Sequence, residues 1–85
     1  MTRDELKGHI LTILAEDFEF KEVKLDDNLH DAHGFDSIDA IELLAKIEKM
    51  LGFSLTRAEK EAAMEIRTVD DILNYLEKIQ NGRTV

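Results

Sequence analysis

The chain has 85 residues, and its 19 Asp and Glu against 11 Lys and Arg leave a formal charge of −8. Such acidity argues against docking to nucleic-acid phosphates or an anionic membrane face, and the lack of Cys excludes disulfides, thiolate metal sites and a thiol nucleophile. With 44% hydrophobic residues the chain builds one modest core and a single domain over 1–85, with little room for a walled catalytic pocket as well.

Thr2 followed by Glu5 is a capping-box start, and behind it Leu6, Ile10, Ile13 and Leu14 recur at helical spacing, widened by Leu11. This first helix is expected to end near Glu16, with Phe18 and Phe20 leading out. From Phe20 to Asp36 no helical period persists, and Val23 and Leu25 are too few to make a strand. A loop of that length needs anchors, for which Phe20, Val23, Leu25 and Leu29 are the candidates. Asp26-Asp27-Asn28 supplies turn chemistry, and Gly34 marks a second bend.

The second helix starts at Asp36-Ser37 and runs to about Leu51, with Gly52 as its stop. A short third helix opens at Thr56 with Glu59 three residues on and continues to about Met64. The last opens at Thr68 with Asp71 three residues on, buries Val69, Ile72, Leu73, Leu76 and Ile79, and closes at Gly82. Three longer helices and a short one, without a strand, predict an all-α, small four-helix bundle with a long loop between the first two helices. Met50 and Met64 read as core filler, His9 as a partly buried helix residue, and Glu59, Lys60 and Glu61 as a solvated face.

The second helix carries two apolar strips. Ala40, Leu43, Leu44, Ile47 and Leu51 share one side and make a core stripe. Ile38, Ile41 and Ala45 lie roughly opposite, bordered by Glu42, Glu48 and Lys49. Either the long loop folds over this second strip, or it is a partner surface with an apolar centre and charged border. Ser37 stands beside it at the helix N-terminus, where backbone N–H groups favour an anion.

Two other readings of these residues are weaker. Ser37 lacks the spacing of a nucleophile elbow, because Gly34 lies three residues before it and Asp39 stands where Gly is needed. His30 and His33 with Asp31 and Asp36 suggest a metal, but no second ligand cluster follows at zinc-finger distance. The run from Asp26 also misses the calcium-loop pattern, since Asp31 and Ser37 occupy its Gly and Glu places. No catalytic residue and no metal ligand is assigned.

Gly34-Phe35-Asp36-Ser37-Ile38-Asp39-Ala40-Ile41-Glu42-Leu43 resembles the signature around the 4'-phosphopantetheine attachment serine of acyl carrier proteins. Asp27-Asn28-Leu29 is similar to their lead-in, and Thr68-Val69-Asp70-Asp71 through Tyr75-Leu76 to their last helix, so the resemblance spans nearly the whole chain. It implies a carrier, not an enzyme. Ser37 receives the phosphopantetheine arm from coenzyme A through a separate phosphopantetheinyl transferase, and the arm's thiol holds acyl intermediates as thioesters. By the same resemblance Asp36 assists the transferase and its magnesium ion, and Ile38, Asp39, Ile41, Glu42, Ala45 and Glu48 are read by basic patches on acyl-transferring and chain-elongating enzymes. Such enzymes serve fatty acid, polyketide or related lipid biosynthesis. The small Ala62 and Ala63 are where an acyl chain finds room between helices. The alternatives are a helical interaction module without a prosthetic group and a peptidyl or aminoacyl carrier.

Phe35, His33 and the cations Lys46, Lys49 and Arg57 depart from the usual fatty-acid type, which suggests a specialised carrier. No apolar run nears the roughly 18 residues of a membrane span, and Met1–Glu5 is unlike a secretory signal. A cytoplasmic monomer is the expectation.

Overall fold

The computed structural model describes residues 1–83. It contains α1 (Arg3–Glu16), α2 (Leu29–His33), α3 (Ser37–Leu51), α4 (Arg57–Ala62), a 3₁₀ turn (Ala63–Glu65) and α5 (Val69–Arg83). Among the described residues there is no strand, and no helix is long and apolar enough to cross a membrane.

Capping sets most of the helix starts. Thr2 with Glu5, Asp36 with Asp39 and Thr56 with Glu59 form reciprocal boxes at the starts of α1, α3 and α4. Thr68 and Asp71 exchange the same pair of bonds, each 3.1 Å, at the start of α5. Each box satisfies two N–H groups that have no partner within the helix.

The apolar stripes then meet in one core. Leu6, Ile10 and Leu14 of α1 are fully buried against α5, whose Val69, Ile72, Leu73 and Leu76 lose nearly all contact with solvent. Leu43, Leu44 and Ile47 close it from α3, and Leu55 and Ala63 complete it. Burying a side chain of this kind contributes about 1.5–3 kcal/mol, so the α1–α5 pairing carries much of the stability. Arg3 clasps the rim of that pairing through Asn74, Glu77 and Asp70, but these groups are exposed and add little.

The connection from Asp17 to Asp36 is more ordered than its lack of period suggests. Asn28 caps Asp31 N–H and starts the one-and-a-half-turn helix α2, which Gly34 ends at φ 71°. Five residues are too few for a periodic signal, which is why the sequence reads as loop there. Leu29 is the anchor: its side chain is 1% exposed, and its N–H donates to the Arg67 carbonyl at 2.8 Å. Asp70 N–H donates to the Leu25 carbonyl at 3.1 Å, so the connection is stitched to the start of α5 at two points.

Aromatic packing does the rest. Phe18 and Phe20 lie 6.0 and 6.3 Å from Phe35, edge to face, and the His33 ring stacks on Phe20 at 5.3 Å. His33 and Phe35 are therefore partners in one cluster that ties the end of α1 to the residue before Asp36. His33 Nε2 also lies 3.3 Å from Asp27 Oδ2, and Asp27 accepts from Lys24 N–H at 3.0 Å.

Four local expectations are corrected. Gly82 does not stop α5, which continues to Arg83; its φ is not positive, so it is an ordinary helical residue. His9 is exposed, because it lies off the Leu6–Ile10–Leu14 stripe. Met64 is 52% exposed, because the chain tightens into the 3₁₀ turn after Ala62 and turns Ala63 inward in its place. Glu59 is half-buried rather than on a solvated face, since it closes the α4 capping box and its carbonyl accepts the Tyr75 hydroxyl at 2.5 Å. Burial, followed by the nearby charges of Glu59 and Glu48, pushes that hydroxyl up to about 12.

Acid should loosen the stitched regions first. The Asp27 carboxyl is held below its ordinary value by the Lys24 N–H and then by His33, and Glu5 by the Thr2 N–H and then the Thr2 hydroxyl. A carboxylate lowered by folding contributes stability that is present above the unfolded value, about pH 4, and is lost as pH falls through the folded value. The melting temperature, followed from pH 6 down to pH 3, is expected to drop less in the double variant Glu5→Gln, Asp27→Asn than in the parent. An equal drop would show that neither group contributes.

Candidate functional site

The site is built at the junction of α2 and α3. Gly34 turns the chain out of α2, Phe35 buries its ring in the aromatic cluster, and Asp36 then caps α3. Asp36 Oδ1 accepts from Asp39 N–H at 2.9 Å, and Asp39 Oδ2 accepts from Asp36 N–H at 3.2 Å. This leaves Ser37 as the first helical residue, exposed on a backbone pinned from both sides. Its hydroxyl makes no hydrogen bond to another described residue. Asp36 is exposed beside it, with Oδ1 engaged in the cap.

A cleft of about 440 Å³ opens next to the hydroxyl. It is lined by Asn28, His30, Asp31, Phe35 and Ala40, together with Ala63, Met64, Ile66 and Arg67. Ala63 is buried and lines this cleft, while Ala62 lines a separate groove of about 460 Å³ between α4 and α5, with Tyr75, Lys78 and Ile79. Arg67 went unnoticed in the sequence. Its Nη1 donates to the carbonyls of Met64 and Ile66, both at 3.0 Å, which places an arginine in the same cleft as Ser37.

The second strip of α3 is not covered by the loop. Ile38 is 72% and Ile41 65% exposed, and Ala45 and Glu42 are exposed beside them. Helical spacing explains it: the loop packs on the α1–α5 side through Leu29 and the aromatic cluster, leaving the outer face of α3 free. The other two residues of the expected partner surface have work inside the fold. Asp39 is half-buried in its capping box, and Glu48 accepts from Leu55 N–H at 2.7 Å with Lys60 Nζ at 4.0 Å. The structure therefore brings Ile38, Ile41, Glu42 and Ala45 together on one exposed surface with Ser37, and sets Glu48 toward α4.

His30 and His33 do not meet. His30 lies 3.3 Å from Asp31 and His33 3.3 Å from Asp27, as two separate pairs. Among the described residues no three His, Cys, Asp or Glu side chains are grouped so as to hold a metal ion.

Ser37 is thus an exposed serine at a capped helix start, with an open cleft and an exposed apolar strip beside it. The sequence profile of the phosphopantetheine attachment site matches residues 8–76. The chain belongs to the acyl carrier protein family. It is 32% identical over 78 residues to the acyl carrier protein of Chloroherpeton thalassium, covering 89% of this chain and 94% of the relative. The acyl carrier protein of Prochlorococcus marinus is 32% identical over 79 residues, 91% and 95% of the two chains. That of Phaeodactylum tricornutum is 39% identical over 56 residues, 66% and 70%. Members of this family are carriers, not enzymes, and the group they carry with is 4'-phosphopantetheine.

The residues present suit that group. A phosphodiester needs an accessible hydroxyl, which Ser37 has, and a long flexible arm needs an open path, which the cleft and the solvent around it provide. The arm, once attached, supplies the thiol that this Cys-free chain lacks.

Proposed function

We propose that Ser37 bears the 4'-phosphopantetheine arm and that the chain delivers acyl intermediates, held as thioesters, to enzymes of fatty acid, polyketide or related lipid biosynthesis in the cytoplasm. The single observation that carries this reading is the exposed Ser37 hydroxyl, bonded to no other described residue, on the first residue of α3 and inside the segment that the attachment-site profile matches.

Each residue has a role in that work. The Asp36–Asp39 box fixes the first turn of α3, so the serine is presented in one orientation to a transferase. Asp36, exposed beside the serine, assists the transferase and its magnesium ion. Phe35, held by Phe18 and Phe20, resists movement of the attachment point when a partner pulls on the arm. Ile38, Ile41 and Ala45 supply apolar contact, and Glu42 a charged border, for basic patches on successive partners. The net charge of −8 steers those partners from a distance. The clustering of His33 with Phe20, and of Phe35 with both Phe18 and Phe20, supports a specialised carrier over the common fatty-acid type.

Ile41→Glu tests the docking half of this reading. Ile41 is 65% exposed, so folding should change by no more than about 0.5 kcal/mol. Loss of a central apolar contact is expected to raise the KM of a phosphopantetheinyl transferase for this chain about tenfold or more, with Ser37 still present. An unchanged KM would remove Ile41 from the contact surface. The acyl species released from protein isolated from its native host, identified by mass spectrometry, tests the cargo: an acyl thioester supports the reading, and an aminoacyl or peptidyl one replaces it.

A further inference from the structure

The exposed surface of α3 does not end at the acidic turn beside Ser37. Its outer stripe continues through Ala45 to Lys49, which is exposed and has no ion pair among the described residues. Beside it α4 adds Arg57, Lys60 and Glu61, which with Ile41, Leu44 and Met64 border a groove of about 300 Å³. Three of the few large exposed apolar side chains, Ile38, Ile41 and Met64, thus fall on one continuous surface. It has Asp36 and Glu42 at one end, and at the other the three cations Lys49, Arg57 and Lys60 with Glu61 among them.

We infer that this is a two-signed docking footprint, whose partner carries basic residues facing the Ser37 end, an apolar side chain seated in the Ile41–Met64 groove, and carboxylates facing Lys49, Arg57 and Lys60. The inference rests on the carrier reading above and adds the acidic half of the partner's surface and the participation of α4. Charge complementarity selects such a partner. A partner basic along its whole length would bring like charges together at the far end, and covering Lys49 would strip water from an ammonium group with nothing to replace it.

Geometry makes the arrangement useful. Glu42 and Lys49 are seven residues apart on one helix face, about 10 Å along the axis, and Ser37 and Lys49 about 18 Å. Two charge clusters of opposite sign at that separation allow one direction of docking, because the reversed complex places like against like. The direction allowed sets Ser37 at the basic end of the partner, so its arm enters the same mouth each time. Arg57 is also paired with Glu61 at 3.2 Å, and Lys60 Nζ lies 4.0 Å from Glu48; both contacts are weak enough to exchange for a partner's carboxylate.

The test uses the holo protein with p-benzoylphenylalanine in place of Ala45 or of Met64, expressed in the native host. Enzymes cross-linked from either position are purified, and their affinities measured for the parent, for Lys49→Glu/Arg57→Glu/Lys60→Glu and for Glu42→Lys. Each of the two variants is expected to weaken binding about tenfold, and changing the partner's cross-linked Asp or Glu residues to Lys is expected to restore binding of the triple variant. Equal or tighter binding by the triple variant overturns the inference, as does capture from position 45 with none from position 64, or none from either. Intact mass after transferase treatment separates the two failures. A chain that gains no phosphopantetheine refutes the carrier reading itself. A loaded triple variant that binds like the parent refutes only the footprint.

Discussion

Ser37→Ala is expected to abolish attachment completely, leaving the mass of the chain unchanged after incubation with coenzyme A, magnesium and a phosphopantetheinyl transferase. The effect is expected to be all-or-none because the proposed bond to the arm is made at that oxygen, and no neighbouring hydroxyl stands in the same first turn of α3. The variant should fold like the parent. Ser37 is exposed and its hydroxyl bonds to no other described residue, so its loss should move stability by less than about 0.5 kcal/mol. A circular-dichroism melt matching the parent, alongside the missing mass gain, is the expected pair of results. A mass gain in the variant would move the attachment point elsewhere in the chain.

Leu29→Ala should give the largest loss of stability relative to its position in the chain. A leucine 1% exposed, cut back to Ala, costs about 2–5 kcal/mol through lost burial and the cavity left behind. A domain of this size holds only about 4–13 kcal/mol in total, so the midpoint of urea unfolding should fall by at least about 15%. Leu29 is also the residue through which α2 is held to the Arg67 carbonyl and, by the Phe35 N–H to Leu29 carbonyl bond at 3.1 Å, to the approach to Ser37. Loading by the transferase should therefore slow even at temperatures where the variant is folded. A loss under about 1 kcal/mol would mean that the segment between α1 and α3 is held by its aromatic cluster alone.

The long helices were legible because each pairs a capping box with a stripe at helical spacing: Thr2 and Glu5 before Leu6–Ile10–Leu14, Thr68 and Asp71 before Ile72–Leu73–Leu76. Helix α2 was not, because five residues carry a cap and a stop but no period. Gly82 misled for a related reason. Glycine ends a helix only where the backbone adopts a positive φ, as at Gly52 with φ 81°, and nothing in the residue type distinguishes the two.

The site divides in the same way. Ser37, Asp36 and the exposed Ile38 and Ile41 stand close together along the chain, so their arrangement follows from one helix start. The positions of Glu48, Met64 and Arg67 depend on how α4 and the 3₁₀ turn pack against α3 and α2, which is tertiary information. Phe35 and His33 stood out in the sequence as departures. Only the fold shows that they answer Phe18 and Phe20.

The central claim is that one oxygen, on Ser37, tethers the arm. The most direct measurement is intact-mass analysis of the unmodified chain after treatment with coenzyme A, magnesium and a broad-specificity transferase, followed by fragmentation to locate the added group. A gain of one phosphopantetheine mapped to Ser37 is the predicted result; no gain, or a group mapped to any other residue, would contradict it.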